Sequence, residues 1–322
     1  MSYYITYCYE KKVLIMKKMM LLTLIPTVLC GCKKDKYKDL SFIVPTGAPA
    51  VAMSAFAGLK GFETTTDPST IVPLLAKGQY DVAVLPTNVG VTAINVKKVP
   101  YKLLCTVTFG NLYIASTGKD SDGVMGADDY IVSFQQGAVP DKIFHYVYGN
   151  ELDSALHYVS GAADAAKCLK SGNNAADEAK DVDYVLLAEP ALTKVLETTP
   201  TASIYANLQE KYSAKSEGLI LTQASVFVKD TLDEDTVKSA IYKTIESSVN
   251  QMIKRPEKIK SNLEKVDDPT TLFGIEAEYA VKTTQDGNKM GIGCKLASEI
   301  KDDVNKFLTI FGVDPIADEN IA

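Results

Sequence analysis

The chain has 322 residues, of which 46% are hydrophobic and 23% are charged, and its formal net charge at pH 7 is −6. This composition is typical of a globular protein and excludes a disordered or membrane-embedded chain. The negative charge offers no basic surface to a polyphosphate backbone, so we expect no nucleic-acid partner.

The first 31 residues have the pattern of a secretion signal. Two lysines directly after Met16 precede a short apolar run at residues 21–29, and small residues follow it. This pattern is typical of a cleaved signal peptide, and the run is shorter than the roughly 20 residues that span a bilayer. We predict that residues 1–31 are removed, with residues 1–15 an upstream extension and Met16 the natural start.

The predicted cleavage site resembles a bacterial lipobox, in which the Cys after the cut is diacylated. Cys32 suits acylation better than Cys30, because the small residue Gly31 precedes it and Leu29 lies three positions before it. Two acyl chains make a stable membrane anchor. We therefore expect a lipid-anchored protein on the extracytoplasmic face of the cell membrane, with residues 32–39 as its tether. The alternative is ordinary cleavage beside incidental thiols.

The remaining cysteines and the histidines predict neither a metal site nor a catalytic centre. The three cysteines are odd in number and widely separated, which predicts no disulfide framework. The chain contains no HExxH, GxSxG or phosphate-binding glycine motif. We therefore expect no cofactor and no enzymatic activity. The remaining cysteines are Cys105, Cys168 and Cys294, and the two histidines are His145 and His157.

The residues after the tether alternate between predicted strands and predicted helices. Strand, helix and strand at this spacing predict a parallel sheet covered by helices. Strands are predicted at residues 40–44, 81–85 and 102–107, and helices at residues 50–59, 71–77 and 89–96.

The same alternation then starts again, which predicts a second α/β unit. Its helix at residues 140–147 begins with a proline, a residue favoured in the first turn. From residue 233 onward the chain is predicted to be nearly all helix, ending at residues 295–307. The other predicted strands are at 130–133, 156–159, 184–187 and 223–228, and the other helices at 162–170 and 190–196.

The order of these elements allows two domain arrangements. One crossing between the units would give tandem domains, whereas a second crossing near residues 220–226 would make the second unit an insertion. We prefer the insertion, because the helical tail then packs on a sheet and the two crossings form a hinge for closure over a ligand. Lobe 1 is then residues 40–108 and 224–322, and lobe 2 is residues 109–223. We expect a monomer.

Three segments resemble the nitrate/sulfonate/taurine and thiamine-pyrimidine group of periplasmic substrate-binding proteins. They are residues 78–86, 136–144 and 183–193, and the last contains Ala-Glu-Pro-Ala, the most distinctive stretch. The likeness spans most of residues 40–315 and is weakest in the C-terminal helices. It implies the type II periplasmic-binding-protein fold, an α/β fold of two lobes with a two-strand hinge. It also implies a small-molecule ligand in the cleft, delivered to an ABC permease and its ATPase.

Four predicted turns between a strand and a helix, at residues 46–49, 86–88, 136–139 and 188–189, are candidates for the ligand site. Ligands of open parallel sheets gather beyond the carboxyl ends of the strands, where helix N-termini offer free N–H groups. We expect Gln135 to add a hydrogen bond, and Tyr113 to stack on a flat ligand together with Phe109. The candidates are Thr46, Gly47, Ala48, Thr87 and Asn88 in lobe 1, Phe109 and Asn111 beside the first crossing, and Gln136, Gly137, Ala138 and Glu189 in lobe 2.

The scarcity of arginine bears on the charge of the ligand. Arg255 is the only arginine, and it lies in the predicted helical tail. Bidentate recognition of a sulfonate or carboxylate by a guanidinium in the cleft is therefore disfavoured, and we predict a neutral or heteroaromatic solute. The alternatives are a small anion such as a sulfonate or nitrate, a ligand-sensing surface lipoprotein, and an enzyme of pyrimidine biosynthesis.

Overall fold

The computed structural model describes residues 36–119 and 122–322, within which residues Tyr37–Ala322 form one unit. Thirteen strands and twelve α-helices are found in this described part of the chain. The predicted signal peptide and Cys32 lie outside the described residues.

The strands supply two main sheets and one small hairpin-like pair. In chain order they are β1 (Phe42–Pro45), β2 (Phe62–Thr65), β3 (Val82–Pro86), β4 (Tyr101–Thr108), β5 (Leu112–Ser116), β6 (Ile131–Phe134), β7 (Leu156–Val159), β8 (Asn173–Asn174), β9 (Lys180–Asp181), β10 (Tyr184–Ala188), β11 (Ser203–Asn207), β12 (Ala224–Lys229) and β13 (Ile292–Leu296).

The helices connect the strands and form most of the C-terminal region. In chain order they are α1 (Ala48–Ala52), α2 (Ile71–Ala76), α3 (Thr87–Asn95), α4 (Val139–Tyr148), α5 (Ala162–Ser171), α6 (Ala191–Leu196), α7 (Leu208–Lys215), α8 (Lys243–Lys254), α9 (Glu257–Leu263), α10 (Pro269–Phe273), α11 (Ala277–Gln285) and α12 (Lys301–Ile310). A π-helical segment, Asp235–Tyr242, leads directly into α8.

The first main sheet has the strand order β13-β4-β12-β3-β1-β2. Strands β1, β2 and β3 run parallel, whereas β12 runs antiparallel to both β3 and β4. The second main sheet has the order β11-β5-β10-β6-β7, in which β6, β7 and β10 are parallel. The prediction of α/β units built on parallel strands is confirmed for β1 to β3 and for β6, β7 and β10, but both sheets also contain antiparallel pairs.

Local sequence explains where the elements around the second sheet begin and end. Helix α4 starts with Pro140 in its first turn and ends at Gly149, whose φ of +76° suits glycine. Helix α5 likewise ends at Gly172, in the left-handed region. Both helices lie within about two residues of their predicted bounds, because these stop signals are local.

The C-terminal region differs from its prediction in one respect. Residues 292–296 form the edge strand β13, which pairs antiparallel with β4, and the last helix begins only at Lys301. The prediction of a helix at residues 295–307 is therefore wrong for its first turns. Pairing with β4, nearly 190 residues earlier, overrides the local preference.

The chain passes between the two main sheets at two places. Strand β4 belongs to the first sheet and β5 to the second, so residues 109–111 form the first crossing. After β11 and α7, the chain returns to the first sheet at β12, so residues 216–223 form the second crossing. The first-sheet strands thus come from both ends of the described chain.

Buried apolar side chains cover both faces of the first sheet and form a separate core around the second. Helix α12 contributes to two of these cores: Val304 and Leu308 pack with the first sheet, and Phe307 packs with the second. The last helix therefore contacts both sheets beside the crossings. In the described residues, no helix combines the length and the hydropathy needed to cross a membrane.

Candidate functional site

A cavity of about 410 Å³ lies where the carboxyl ends of strands from both main sheets meet. Pro45, Pro86 and Thr108 end β1, β3 and β4 on one side, and Phe134 and Ala188 end β6 and β10 on the other. Its volume falls in the usual range for small-molecule sites, and its position is the expected one for an α/β sheet.

Six of the predicted ligand-binding residues line this cavity. They lie at the strand-to-helix turns after β1, β6 and β10 and in the first crossing. Gly47 has a φ of +88°, which lets the chain turn sharply from β1 into α1. Gln135 also lines the cavity. The six are Thr46, Gly47, Ala48, Asn111, Ala138 and Glu189.

The structure does not place Thr87 or Asn88 in the cavity lining. Both lie in the first turn of α3, but Thr87 is fully buried and its hydroxyl bonds that of Ser225 at 2.7 Å. Asn88 has a buried Oδ1 with no partner among the described residues, yet it does not line this cavity. Pro86, the residue before them, takes the position at the cavity wall.

Gln136 and Gly137 line a different surface depression. This second depression, of about 600 Å³, is also lined by Asp141 and His145. The N–H of Gly137 donates to Oδ2 of Asp141 at 2.7 Å, which holds the turn against α4 and away from the cavity. Of the predicted 136–139 turn, Ala138 and Val139 reach the cavity.

The predicted aromatic pair also lies outside the cavity lining. Phe109 packs on the backbone of Gly293, where a Cβ atom would overlap its ring. Tyr113 is buried in β5, and burial raises its pKa to about 12. The aromatic side chain at the cavity is instead Phe134, which ends β6. Its signal in the sequence was its position as the last apolar residue before the Gln-Gln-Gly turn.

Asn111 links the two crossings to the end of β10. Its Nδ2 donates to the carbonyl of Glu189 at 2.8 Å, and its carbonyl accepts from the N–H of Glu189 at 2.9 Å. Its Oδ1 accepts from Nε2 of Gln223 at 3.3 Å, in the second crossing. Asn111 is only 8% exposed, so these bonds replace bonds to water.

The carboxylate of Glu189 forms hydrogen bonds with the first turn of α6, the helix that follows it. It accepts bonds from the N–H and the hydroxyl of Thr193, both at 2.9 Å, in the first turn of α6. Burial raises the pKa of Glu189, while the Thr193 bonds and the charge of Lys289 act in the opposite direction. These contacts assign Glu189 the role of a helix cap at the cavity wall.

We expect Asn111→Ala to lower the free energy of unfolding by about 1–3 kcal/mol, because the Glu189 carbonyl and the Gln223 amide each lose a buried partner. Asn95→Ala is the control: this amide donates to the carbonyl of Asp314 at an exposed position, where the change should stay within about 0.5 kcal/mol. Urea unfolding of both variants gives the comparison. If both variants lose the same free energy of unfolding, the buried hydrogen bonds of Asn111 do not contribute more to stability than an exposed one.

The cavity lining carries little charge. Among the described residues that line it, Glu189 is the only charged one, and neither Lys nor Arg is present. Pro, Ala, Leu, Val and Phe side chains supply most of its surface. The described part of the chain also contains no cluster of three His, Cys, Asp or Glu residues that could hold a metal ion.

The solved structures that this chain resembles include components of ABC transport systems. An ABC transporter structure from Parabacteroides distasonis is 20% identical, with a TM-score of 0.68, over 86% of this chain and 96% of that chain. The periplasmic aliphatic sulphonate binding protein SsuA of Escherichia coli is 13% identical, with a TM-score of 0.61, over 85% and 91%. The ligand-binding component of an ABC-type import system from Staphylococcus aureus is 11% identical, with a TM-score of 0.59, over 88% and 95%.

These similarities establish the class of fold. The chain has the type II periplasmic-binding-protein fold, with two α/β lobes joined by a two-strand hinge. The fold prediction is therefore confirmed. No protein-family model matches the sequence, and no curated protein sequence matches it.

Proposed function

We propose that this protein is an extracytoplasmic solute-binding protein that captures a small uncharged molecule and delivers it to an ABC permease and ATPase. The observation that carries the proposal is the cavity between the strand ends of the two main sheets. Solute-binding proteins close two lobes over such a site. The three similar solved structures named above are of transport components and support the same function.

The cavity lining favours an uncharged, flat solute over an anion. Phe134 and several prolines offer apolar surface, and Arg255 follows α8, away from the cavity. A sulfonate is the second candidate, because the Escherichia coli neighbour binds sulphonates and the first residue of α5, Ala162, lines the cavity. Its N–H groups could bind an anion without a cationic side chain.

A thermal-shift screen of the soluble fragment 33–322 tests this function. We expect one class among vitamins, nucleobases, amino acids and organosulfur compounds to raise the unfolding temperature, since a ligand that binds only the folded state stabilises it. Absence of any stabilising solute would contradict the proposed function. Turnover of the bound solute would contradict the proposal that the protein is not an enzyme.

Ligand binding should also make the protein more compact. A solute that contacts both lobes binds the closed state better than the open state, so it shifts the population toward closure. We expect the radius of gyration from X-ray scattering to fall when the solute identified by the screen reaches saturation. An unchanged radius at saturation would contradict the hinge mechanism while leaving solute binding intact.

We further propose that the protein acts at the membrane surface through a lipid on Cys32 and works as a monomer. The small residue before Cys32 and the apolar run before it support this proposal. A sensing role would require the same closure, so a permease gene and an ATPase gene next to this one would favour transport.

A further inference from the structure

Two buried polar atoms at the cavity wall have no hydrogen-bond partner among the described residues. They are Oγ1 of Thr108 and Oε1 of Gln223, and both residues line the cavity. Thr108 is only 3% exposed. Buried polar atoms are nearly always paired, so two unpaired atoms on residues that line one cavity suit a solute that supplies the missing partners. Because both atoms have almost no accessible surface in the unliganded protein, such a solute reaches them only after a small shift of these side chains.

The hydrogen bonds of Asn111 determine whether the unpaired atom of Gln223 is a hydrogen-bond donor or an acceptor. Asn111 donates through Nδ2 to the carbonyl of Glu189, so its Oδ1 is the atom that faces Gln223. Gln223 must therefore present Nε2 to Asn111, which leaves Oε1 as an acceptor. An amide acceptor requires a donor on the solute.

Thr108 lies directly before the first crossing, and Gln223 is the last residue of the second. Thr108 ends β4, and Gln223 is the last residue before β12. The N–H of Gln223 donates to the carbonyl of Thr108 at 3.0 Å, so the two side chains extend from directly paired segments. A solute bound to both atoms would contact the hinge itself.

The electrostatic surroundings of these two atoms disfavour a negative solute. The only charged residue among those described at the cavity wall is Glu189, a carboxylate. The acceptor Gln223 Oε1 adds a partial negative charge on the same side, because Asn111 contacts both residues. An anionic oxygen beside Gln223 Oε1 would meet an acceptor and a carboxylate, and no cationic side chain is among the described residues that line the cavity.

We propose that the solute carries an uncharged N–H donor group, such as an amide or a ring amine, and that Thr108 Oγ1 and Gln223 Oε1 bind this group at the hinge. This inference rests on the proposed function and adds the chemical class of the solute. Gln223 is then the residue that discriminates amides from sulfonates in this cavity, because its Oε1 only accepts hydrogen bonds, whereas the Thr108 hydroxyl can donate or accept.

Matched probes test the class of solute. We would titrate the full-length chain in detergent with benzamide, benzoate and benzenesulfonate, and with nicotinamide, nicotinate and pyridine-3-sulfonate. We expect at least one amide to bind, with its own anions binding at least about 10-fold more weakly, because they lack the donor. Failure of both amides to bind, or a sulfonate that binds as tightly as its amide, would overturn the inference. The proposed function is tested by a different result: it is contradicted only if no solute in the wider thermal-shift screen binds.

Isosteric variants test the two atoms. We expect Thr108→Val to weaken binding of the amide probe by about 5- to 150-fold, the effect of one lost buried hydrogen bond. Gln223→Met should weaken binding at least as much, because this variant also loses the bond from Nε2 to Asn111 Oδ1. Its unfolding temperature without solute is measured to separate the two losses. Thr222→Val is the matched control, because the Thr222 hydroxyl is also buried without a partner but does not line the cavity. It should leave the affinity unchanged.

The stability of the unliganded variants separates recognition from folding. Thr108→Val replaces an unpaired hydroxyl, so the unfolding temperature without solute should stay the same or rise while affinity falls. A lower unfolding temperature without solute would show that the hydroxyl serves the fold. Unchanged affinity in both Thr108→Val and Gln223→Met would equally overturn the assignment.

Discussion

Replacing Gly291 with alanine is expected to lower the free energy of unfolding by about 2–5 kcal/mol. Gly291 has a φ of +64°, where a side chain costs about 1–2 kcal/mol. A Cβ atom there would also overlap the carbonyl oxygen of Gly110 in the first crossing, and overpacking of this kind costs about 1–3 kcal/mol. The Gly291 carbonyl accepts from the N–H of Phe109 at 2.8 Å, so the backbone has little freedom to move away.

Gly312→Ala is the matched control for this change. Gly312 has nearly the same φ, +63°, but a Cβ atom there would have no neighbour within 4 Å. This variant should lose only the part of the free energy of unfolding that comes from the strained backbone conformation, about 1–2 kcal/mol. Urea unfolding followed by circular dichroism measures both losses. If the two variants lose the same free energy, close packing of residues 291 and 110 does not contribute to the stability of the hinge.

Cys32→Ser is expected to abolish fatty-acid labelling and to release the protein from membranes. A diacylated terminus holds a protein at a bilayer because two chains bury many methylene groups, whereas the peptide alone offers none. Metabolic labelling with a fatty acid and fractionation of membranes from soluble protein measure both effects. We expect the loss to be complete, since Cys32 is the proposed site of the anchor.

Cys30→Ser serves as the control, because Cys30 lies on the removed side of the predicted cleavage point. It should label and fractionate like the unchanged chain. Label that persists in Cys32→Ser, or label that disappears in Cys30→Ser, would show that acylation occurs elsewhere or not at all. Neither result would alter the solute-binding proposal, since none of the residues that line the cavity belongs to the tether.

The positions of the central strands were predictable because their signals are local. The predicted strand at residues 184–187 corresponds to β10, and the predicted strand at 223–228 corresponds to β12. Both are continuous apolar runs between turn residues, a pattern typical of strands buried on both faces. The strands β2, β5 and β11 were not predicted, although β5 is an interior strand of the second sheet, between β11 and β10.

The ligand-binding residues were predictable only to the level of a turn. Of the predicted turns, that at residues 46–49 lines the cavity throughout, and that at residues 188–189 does as well. At the turn of residues 86–88 only Pro86 reaches it, and Thr108 and Gln223 were not named as candidates. A turn is a property of neighbouring residues, whereas the direction of each side chain in it depends on what packs against it.

The sequence by itself determined the α/β class, the alternation of elements and the secretion and lipobox pattern, because each depends on residues within a few positions of one another. Only the tertiary structure decided which polar groups remain free for a solute. The Thr87 hydroxyl is bonded to Ser225, 138 residues away, and the orientation of Gln223 follows from Asn111, 112 residues away. Such partners depend on the pairing of distant strands. A hydroxyl that the sequence predicts to bind a ligand can therefore be hydrogen-bonded within the fold, as in Thr87, while the hydroxyl of Thr108 has no partner among the described residues.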